Sequence, residues 1–271
     1  MSSSEPESPS EPGPAQRSGF LAVFPSIILP IFLAVVDQTI VATALPAIAS
    51  SFGEVDRLSW VVVSYLVAAT IAAPVYGRLG DVLGRRRLMF VALAIYIVAS
   101  IVCAISMSIE MLTFGRILQG IGGGGLMTLS QALVGETVTP RERARYQGYL
   151  AAVAVTSSAF GPVAGGFLTE HFGWQSVFLI NLPLGALAVM LTFNLPKRPG
   201  SGESFRFDGM GLFWFAAFIS CVLIMLEQVQ DVLLGDWAWQ VGLLVAAIAS
   251  VIFLFRRERR ASSPLLPLPL M

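Results

Sequence analysis

Eight apolar segments, each close to the length that crosses a bilayer, alternate with short polar turns along this chain. They run near 20–44, 58–76, 88–106, 111–134, 146–168, 177–195, 210–226 and 237–255. A helical span needs about 20 mostly apolar residues. It must be helical because lipid offers backbone N–H and C=O groups no partner beyond the segment itself. Only 13% of the residues are charged, against about 25% in an ordinary soluble domain. The sequence therefore predicts an all-α polytopic membrane protein and excludes a water-soluble globular one.

The placement of arginine predicts the orientation. Arg78, Arg85, Arg86 and Arg87 follow the second segment, and Arg141, Arg143 and Arg145 follow the fourth. Lys197, Arg198 and Arg206 follow the sixth, and Arg256, Arg257, Arg259 and Arg260 follow the eighth. The opposite turns hold Glu54, Asp56, Glu110, Glu170, Asp231 and Asp236, with Arg57 their one cation. Cytoplasmic loops collect Lys and Arg, so both termini are expected on the cytoplasmic side of a plasma membrane (the cytoplasmic membrane, for a bacterial chain). Trp60, Trp174, Trp237 and Trp239 fall at the outer ends, where an aromatic belt would lie. Residues 1–18 are rich in Ser, Pro and Glu and lack the features of a signal peptide. They read as a disordered cytosolic tail. The polar stretch 197–209, with Pro199, Gly200 and Gly202, reads as a cytoplasmic linker. It divides a six-helix bundle, 19–196, from two further spans within 210–255, and a basic, Pro-rich tail follows at 256–271.

Two charges sit inside the spans: Asp37 in the first and Arg116 in the fourth. At the helical rise Asp37 lies about 15 Å below the outer end and Arg116 about 8 Å in, so both occupy the outer half. An intramembrane charge is costly and normally faces a partner or a cavity. The pair is thus a candidate proton or substrate-coupling site, with a fixed strut between helices as the alternative. Gln119 and Gly120 share the arginine's helical face. In the turn Gly77–Arg87, Asp81 stands four and five residues before Arg85 and Arg86. That acid can hold the start of the third helix or pair with an arginine. The arginines can also serve only to orient the chain and meet anionic headgroups. Gly77 and Gly84 are expected to let the second and third helices meet closely and turn sharply. In the fifth segment Gly161 and Gly165 share a face that allows close helix approach, and Pro162 between them is expected to kink the helix. Gly122 to Gly125 read as packing positions. Thr39, Thr43, Gln119 and Gln131 are candidates for lining a modestly polar cavity. No nucleotide-binding motif is present, His171 is the single histidine, and Cys103 and Cys221 lie in apolar runs. No enzyme centre, metal site or cofactor is expected, and any driving force would be an ion gradient. No nucleic-acid partner is expected.

Several of these stretches resemble the major facilitator superfamily. Gly77, Asp81, Gly84, Arg85 and Arg86 fall on the spacing of its turn between helices 2 and 3, with Val82 departing from the basic residue many members carry there. Arg116-Ile117-Leu118-Gln119-Gly120-Ile121-Gly122 is similar to its buried-arginine motif in helix 4. Gly161-Pro162-Val163-Ala164-Gly165-Gly166 is similar to the helix 5 motif of proton antiporters. Asp37-Gln38-Thr39-Ile40-Val41-Ala42-Thr43-Ala44-Leu45-Pro46 resembles the helix 1 signature of the fourteen-helix drug:proton antiporters. Phe172 to Gly185 also fits that subgroup, with Gln175 in place of its usual arginine. The resemblance covers about Gly19 to the end of the chain. It implies the N-terminal six-helix bundle, built as 3+3 inverted repeats, followed by the two linker helices of that subgroup. The second six-helix bundle falls outside these residues.

The resemblance implies a transport component that exchanges protons for small, often amphipathic organic compounds. The partners implied are the lipid bilayer, a small organic substrate, and either a second copy or a separate C-terminal half. In that family the turn at Asp81, Arg85 and Arg86 acts as a cytoplasmic gate. The alternative is a truncated, non-transporting membrane protein, or a regulator that binds a full-length relative.

Overall fold

The computed structural model describes residues 14–54, 57–138, 140–198, 200, 208–228 and 237–258. These form α1 (Pro14–Phe52), α2 (Leu58–Leu83), α3 (Arg85–Ala104), α4 (Ile109–Thr137), α5 (Pro140–Phe172), α6 (Ser176–Leu179), α7 (Asn181–Thr192), α8 (Gly209–Glu227) and α9 (Trp237–Glu258). Among the described residues, seven helices contain a stretch long and apolar enough to cross a membrane. The sixth apolar segment is the exception, because it is split into α6 and α7 around Ile180. Pro183 explains the split: it has no N–H to donate to Leu179, and its ring crowds that carbonyl. At the other end of the bundle α1 starts at Pro14, so residues 14–18 are helical rather than part of the expected tail. Proline suits a first helical position, and Ala15, Gln16 and Arg17 are good helix formers. Residues 1–13 of that tail lie outside the described residues, as do 201–207 of the linker and 259–271 of the C-terminal tail.

The turns are built by local chemistry. Only Gly84 separates α2 from α3, at φ +93°, a backbone conformation side chains disfavour. Ser108 caps α4 by accepting from Met111 N at 3.2 Å, and Asp208 caps α8 by accepting from Gly211 N at 3.0 Å.

Helix packing displays an internal duplication. α2 packs on α4 as α5 packs on α1, and α3 packs on α4 as α7 packs on α1. α1 also meets α4, and α3 meets α7. Exchanging α1 with α4, α2 with α5 and α3 with α7 leaves this pattern unchanged, as two related three-helix units would require. α8 and α9 pair with each other, and α8 leans on α2.

Small residues set the closest approaches. A Cβ on Gly120 or Gly124 would meet the backbone of α2 at Tyr65 or Ala69, and one on Gly122 would meet α3 at Tyr96. Gly161 and Gly165 play the same part between α5 and α1, against Thr39 and Thr43. Gly77 and Gly80 face α4, at Thr128 and Leu129, so the close approach on this side is of α2 to α4 rather than α2 to α3. α5 continues as one helix through Pro162. Trp174 departs from the belt expectation: it is 5% exposed, stacks edge-on with Phe52 and Phe178, and donates Nε1–H to Ser51 Oγ at 3.1 Å. It is covered because Gly173 (φ +80°) turns the chain back over the end of α1.

Two apolar clusters fill the bundle. One gathers Ile27, Leu33, Met89, Leu93, Leu129 and Leu133 towards the arginine-rich end. The other gathers Ile40, Ile48, Val61, Leu112 and Phe178 towards the opposite end. A polar layer lies between them.

Candidate functional site

That polar layer is centred on Asp37 and Arg116, each 1% exposed. Arg116 Nη1 donates to Asp37 Oδ2. The same nitrogen donates to Gln119 Oε1 at 2.6 Å, and Nε donates to the Val61 carbonyl at 3.1 Å. The guanidinium carbon lies 4.3 Å from the centroid of the Tyr65 ring, within reach of its negative face. Asp37 Oδ1 accepts from Gln119 Nε2 at 2.8 Å and from Asn181 Nδ2 at 2.9 Å. Gln119 Nε2 also reaches Ser100 Oγ at 2.9 Å. Three segments therefore meet at one carboxylate: α1 supplies it, α4 the cation and an amide, and the α6–α7 break a second amide, while the Ser100 hydroxyl of α3 joins the layer through the two amides. A buried charge is tolerable only when it is paired and its remaining lone pairs and protons are satisfied, and both conditions hold for Asp37.

Supporting bonds hold α1 in register with this layer. Tyr65 and Tyr96 donate their hydroxyls to the Ala34 and Leu33 carbonyls at 3.2 and 3.1 Å, about one turn before Asp37. Asp37 lies near the middle of the Phe24–Phe52 span, deeper than its distance from residue 47 implied, because α1 runs on to Phe52.

The other candidates separate. Gln119 is wholly buried and belongs to the charge layer, not to an open cavity wall. Thr39 and Thr43 lie in the α1–α5 seam and donate to their own helix, to Val36 O at 2.9 Å and Ile40 O at 2.7 Å. They are half-covered, because Gly161 and Gly165 carry no side chain and let α5 come close. Gln131 alone of the four is exposed. Pro162 and Gly166 point away from the seam and are exposed.

A second polar cluster forms at the α2–α3 turn. Arg85 Nη2 donates to Asp81 Oδ1 at 2.8 Å, and its Nη1 donates to the Ala132 carbonyl and lies 3.2 Å from Glu136 Oε1. Arg86 Nη2 donates to Phe193 O at 2.9 Å. The turn is thus tied to the end of α4 and to the end of α7. Gly84 sits against the Arg198 carbonyl, and Gly77 packs on α4 without a polar role. Asp81 is 54% exposed, so water screens this cluster far more than the buried pair.

Asn181, Ser100, Tyr65, Tyr96 and Glu136 were not singled out from sequence. Asn181 left a visible signal, an amide inside an otherwise apolar run. Glu136 left one too, an acid at the end of the fourth segment among cations.

The sequence profile of the Major Facilitator Superfamily matches residues 27–255. The chain belongs to that superfamily. Among curated members it is similar to the multidrug transporter protein MdtP of Bacillus subtilis, 33% identical over 89% of this chain and 45% of that protein. It is likewise similar to multidrug resistance protein 3 of the same organism, 30% identical over 93% of this chain and 49% of that protein. The efflux pump dotC of Dothistroma septosporum is 33% identical over 90% of this chain and 43% of that protein. The chain spans about half the length of these facilitator relatives or less. Solved structures show the same fold: the xylose transporter XylE from E. coli, at TM-score 0.60 and 14% identity, covers 87% of this chain and 57% of its own. The human organic anion transporter MFSD10, at TM-score 0.57 and 20% identity, covers 79% of this chain and 55% of its own. The all-α facilitator fold read from the sequence is therefore the fold of this chain, which belongs to a family of membrane transporters and not of enzymes.

Proposed function

We propose that this chain forms the N-terminal bundle of a proton-coupled exporter of small organic, drug-like compounds. The names of its curated relatives, multidrug transporter and efflux pump, support the substrate class. The single observation that carries the coupling is the buried Asp37–Arg116 pair, placed mid-span and sealed by Gln119 and Asn181. Protonation of Asp37 removes the charge that neutralises Arg116 and leaves the guanidinium with the Val61 carbonyl, Gln119 and the Tyr65 ring. The pair then loosens, and α1 is freed against α4. That is a local two-state element of the kind a proton gradient can bias. The cluster of Asp81, Arg85 and Glu136 acts as the gate at the arginine-rich end, which faces the cytoplasm by the positive-inside rule. The Gly161–Gly165 seam is the rigid packing surface that limits leakage beside the moving layer.

Proteoliposomes under an imposed pH gradient test this reading. The chain is reconstituted alone and together with the portion of MdtP beyond the part it matches, and uptake of a fluorescent cationic dye is followed. Gradient-driven dye movement that is lost in Asp37→Asn is the expected result. Movement that survives the substitution would remove Asp37 from the coupling step. No movement in either preparation would favour a non-transporting or regulatory chain.

A further inference from the structure

A groove of about 680 Å³ lies beside the α2–α3 turn, away from the buried pair. Its rim carries four cations: Arg86 and Arg87 from the start of α3, and Lys197 and Arg198 from the segment after α7. Among the described residues no carboxylate lines it. Asp81 and Glu136, which line the adjoining pocket, are held by Arg85, and Arg198 reaches Glu136 only at 3.9 Å. Among the described residues neither Arg87 nor Lys197 has an ion-pair partner. The groove is therefore a concentration of positive charge, with Arg87 and Lys197 unpaired among the described residues, and it has room for an anionic group.

Its surroundings identify what kind of anion. The floor is apolar, made by Val82 and Phe90, and the Phe90 ring packs at a tilt against Phe193, 4.9 Å between ring centroids. Leu83 (47% exposed) and Phe193 (62% exposed) flank it. Arg87 also begins a stripe on α3. Val91, Ala94, Val98, Ile101 and Ile105 follow it on one helical face and are all exposed. That stripe is apolar along the whole span and ends in a cation. A soluble anion would use the cations and leave the stripe unused; a phospholipid uses both.

We propose that this groove holds the phosphate headgroup of an anionic glycerophospholipid, with an acyl chain lying along the exposed face of α3. Arg87 and Lys197 supply the charge-assisted bonds, and Arg86 keeps the groove wall in place through its bond to Phe193 O. The bound lipid bridges α3 and the segment after α7. The proposal does not depend on transport.

Native mass spectrometry tests it. The full chain is extracted from vesicles of phosphatidylcholine doped with phosphatidylglycerol, and the lipid retained is counted. The expected result is selective retention of phosphatidylglycerol, falling roughly fivefold for each cation removed in Arg87→Gln and Lys197→Gln. Arg256→Gln, at the same end of the molecule but outside the groove, should leave retention unchanged. The charge-keeping double variant Arg87→Lys with Lys197→Arg should restore it, which separates lost charge from lost fold. Three results overturn the proposal: equal retention of phosphatidylcholine, an Arg256→Gln effect as large as that of Arg87→Gln, or displacement of the lipid by inorganic phosphate at millimolar concentration.

Discussion

Asp37 and Arg116 persist in an apolar interior because each neutralises the other and neighbouring amides and carbonyls take up what remains. Removing one partner strands the other. Arg116→Met should lower stability by about 3–5 kcal/mol, read as a fall in the thermal unfolding midpoint in detergent. A variant as stable as the parent would mean that Asp37 finds other compensation. Asn181→Ala removes a hydrogen bond to a charged oxygen and should cost about 1.5–3 kcal/mol. In a double-mutant cycle with Asp37→Asn the two effects should be non-additive; strict additivity would contradict their contact. Both intramembrane charges were legible from the sequence, since a charge in an apolar run stands out. Their contact was not, because it depends on the relative rotation and depth of α1 and α4, which no local pattern encodes.

At the scale of the element, glycine means opposite things in neighbouring helices. On α4 a Cβ at Gly124 would collide with the backbone of α2 at Ala69, whereas on α5 a Cβ at Gly148 would meet nothing within 4 Å. Gly124→Ala should therefore destabilise by about 1–3 kcal/mol through overpacking. Gly148→Ala should instead stabilise by up to about 1 kcal/mol through helix propensity. Chemical denaturation of the two variants side by side checks the sign as well as the size. Gly84→Ala should cost about 1–3 kcal/mol, because a side chain is strained at its φ of +93° and the added Cβ would press on the Arg198 carbonyl. The spacing of Gly161 and Gly165 announced a shared face, but not that Thr39 and Thr43 would be the residues under it. The break between α6 and α7 was latent in Pro183, yet the run around it looked continuous in hydrophobicity.

At the scale of the whole molecule, α8 and α9 form a hairpin fastened at both ends. Asp208 caps α8 and accepts from Arg257 Nε at 3.2 Å, and at the far end Trp239 Nε1 and Gln240 Nε2 both donate to Gln228 at 2.8 Å. α8 is only lightly covered by the bundle and touches it through α2. Asp208→Ala should cost about 0.5–2 kcal/mol at the cap. The loss should appear as faster hydrogen exchange in the first turn of α8, with the α1–α7 amides unchanged. Exchange that also quickens in α1–α7 would mean that the hairpin is integral to the bundle rather than attached to it.

By itself the sequence determined the class, the approximate spans and the clustering of cations at one end of the molecule. Each follows from composition and short-range periodicity, and lipid permits few alternatives to a helix of a given length. Its motifs also placed the chain in the right family. Tertiary structure alone decided which polar residues meet. It gathered Asp37, Ser100, Arg116, Gln119 and Asn181 from four spans into one layer. It buried Trp174 where an outer-end position was expected, packed the half-covered Thr39 and Thr43 against α5, and set Lys197 and Arg198 against Arg86 and Arg87. These are contacts between residues tens to more than a hundred positions apart. They arise from how backbones pack where glycine permits close approach, and helical periodicity within one segment carries no information about them.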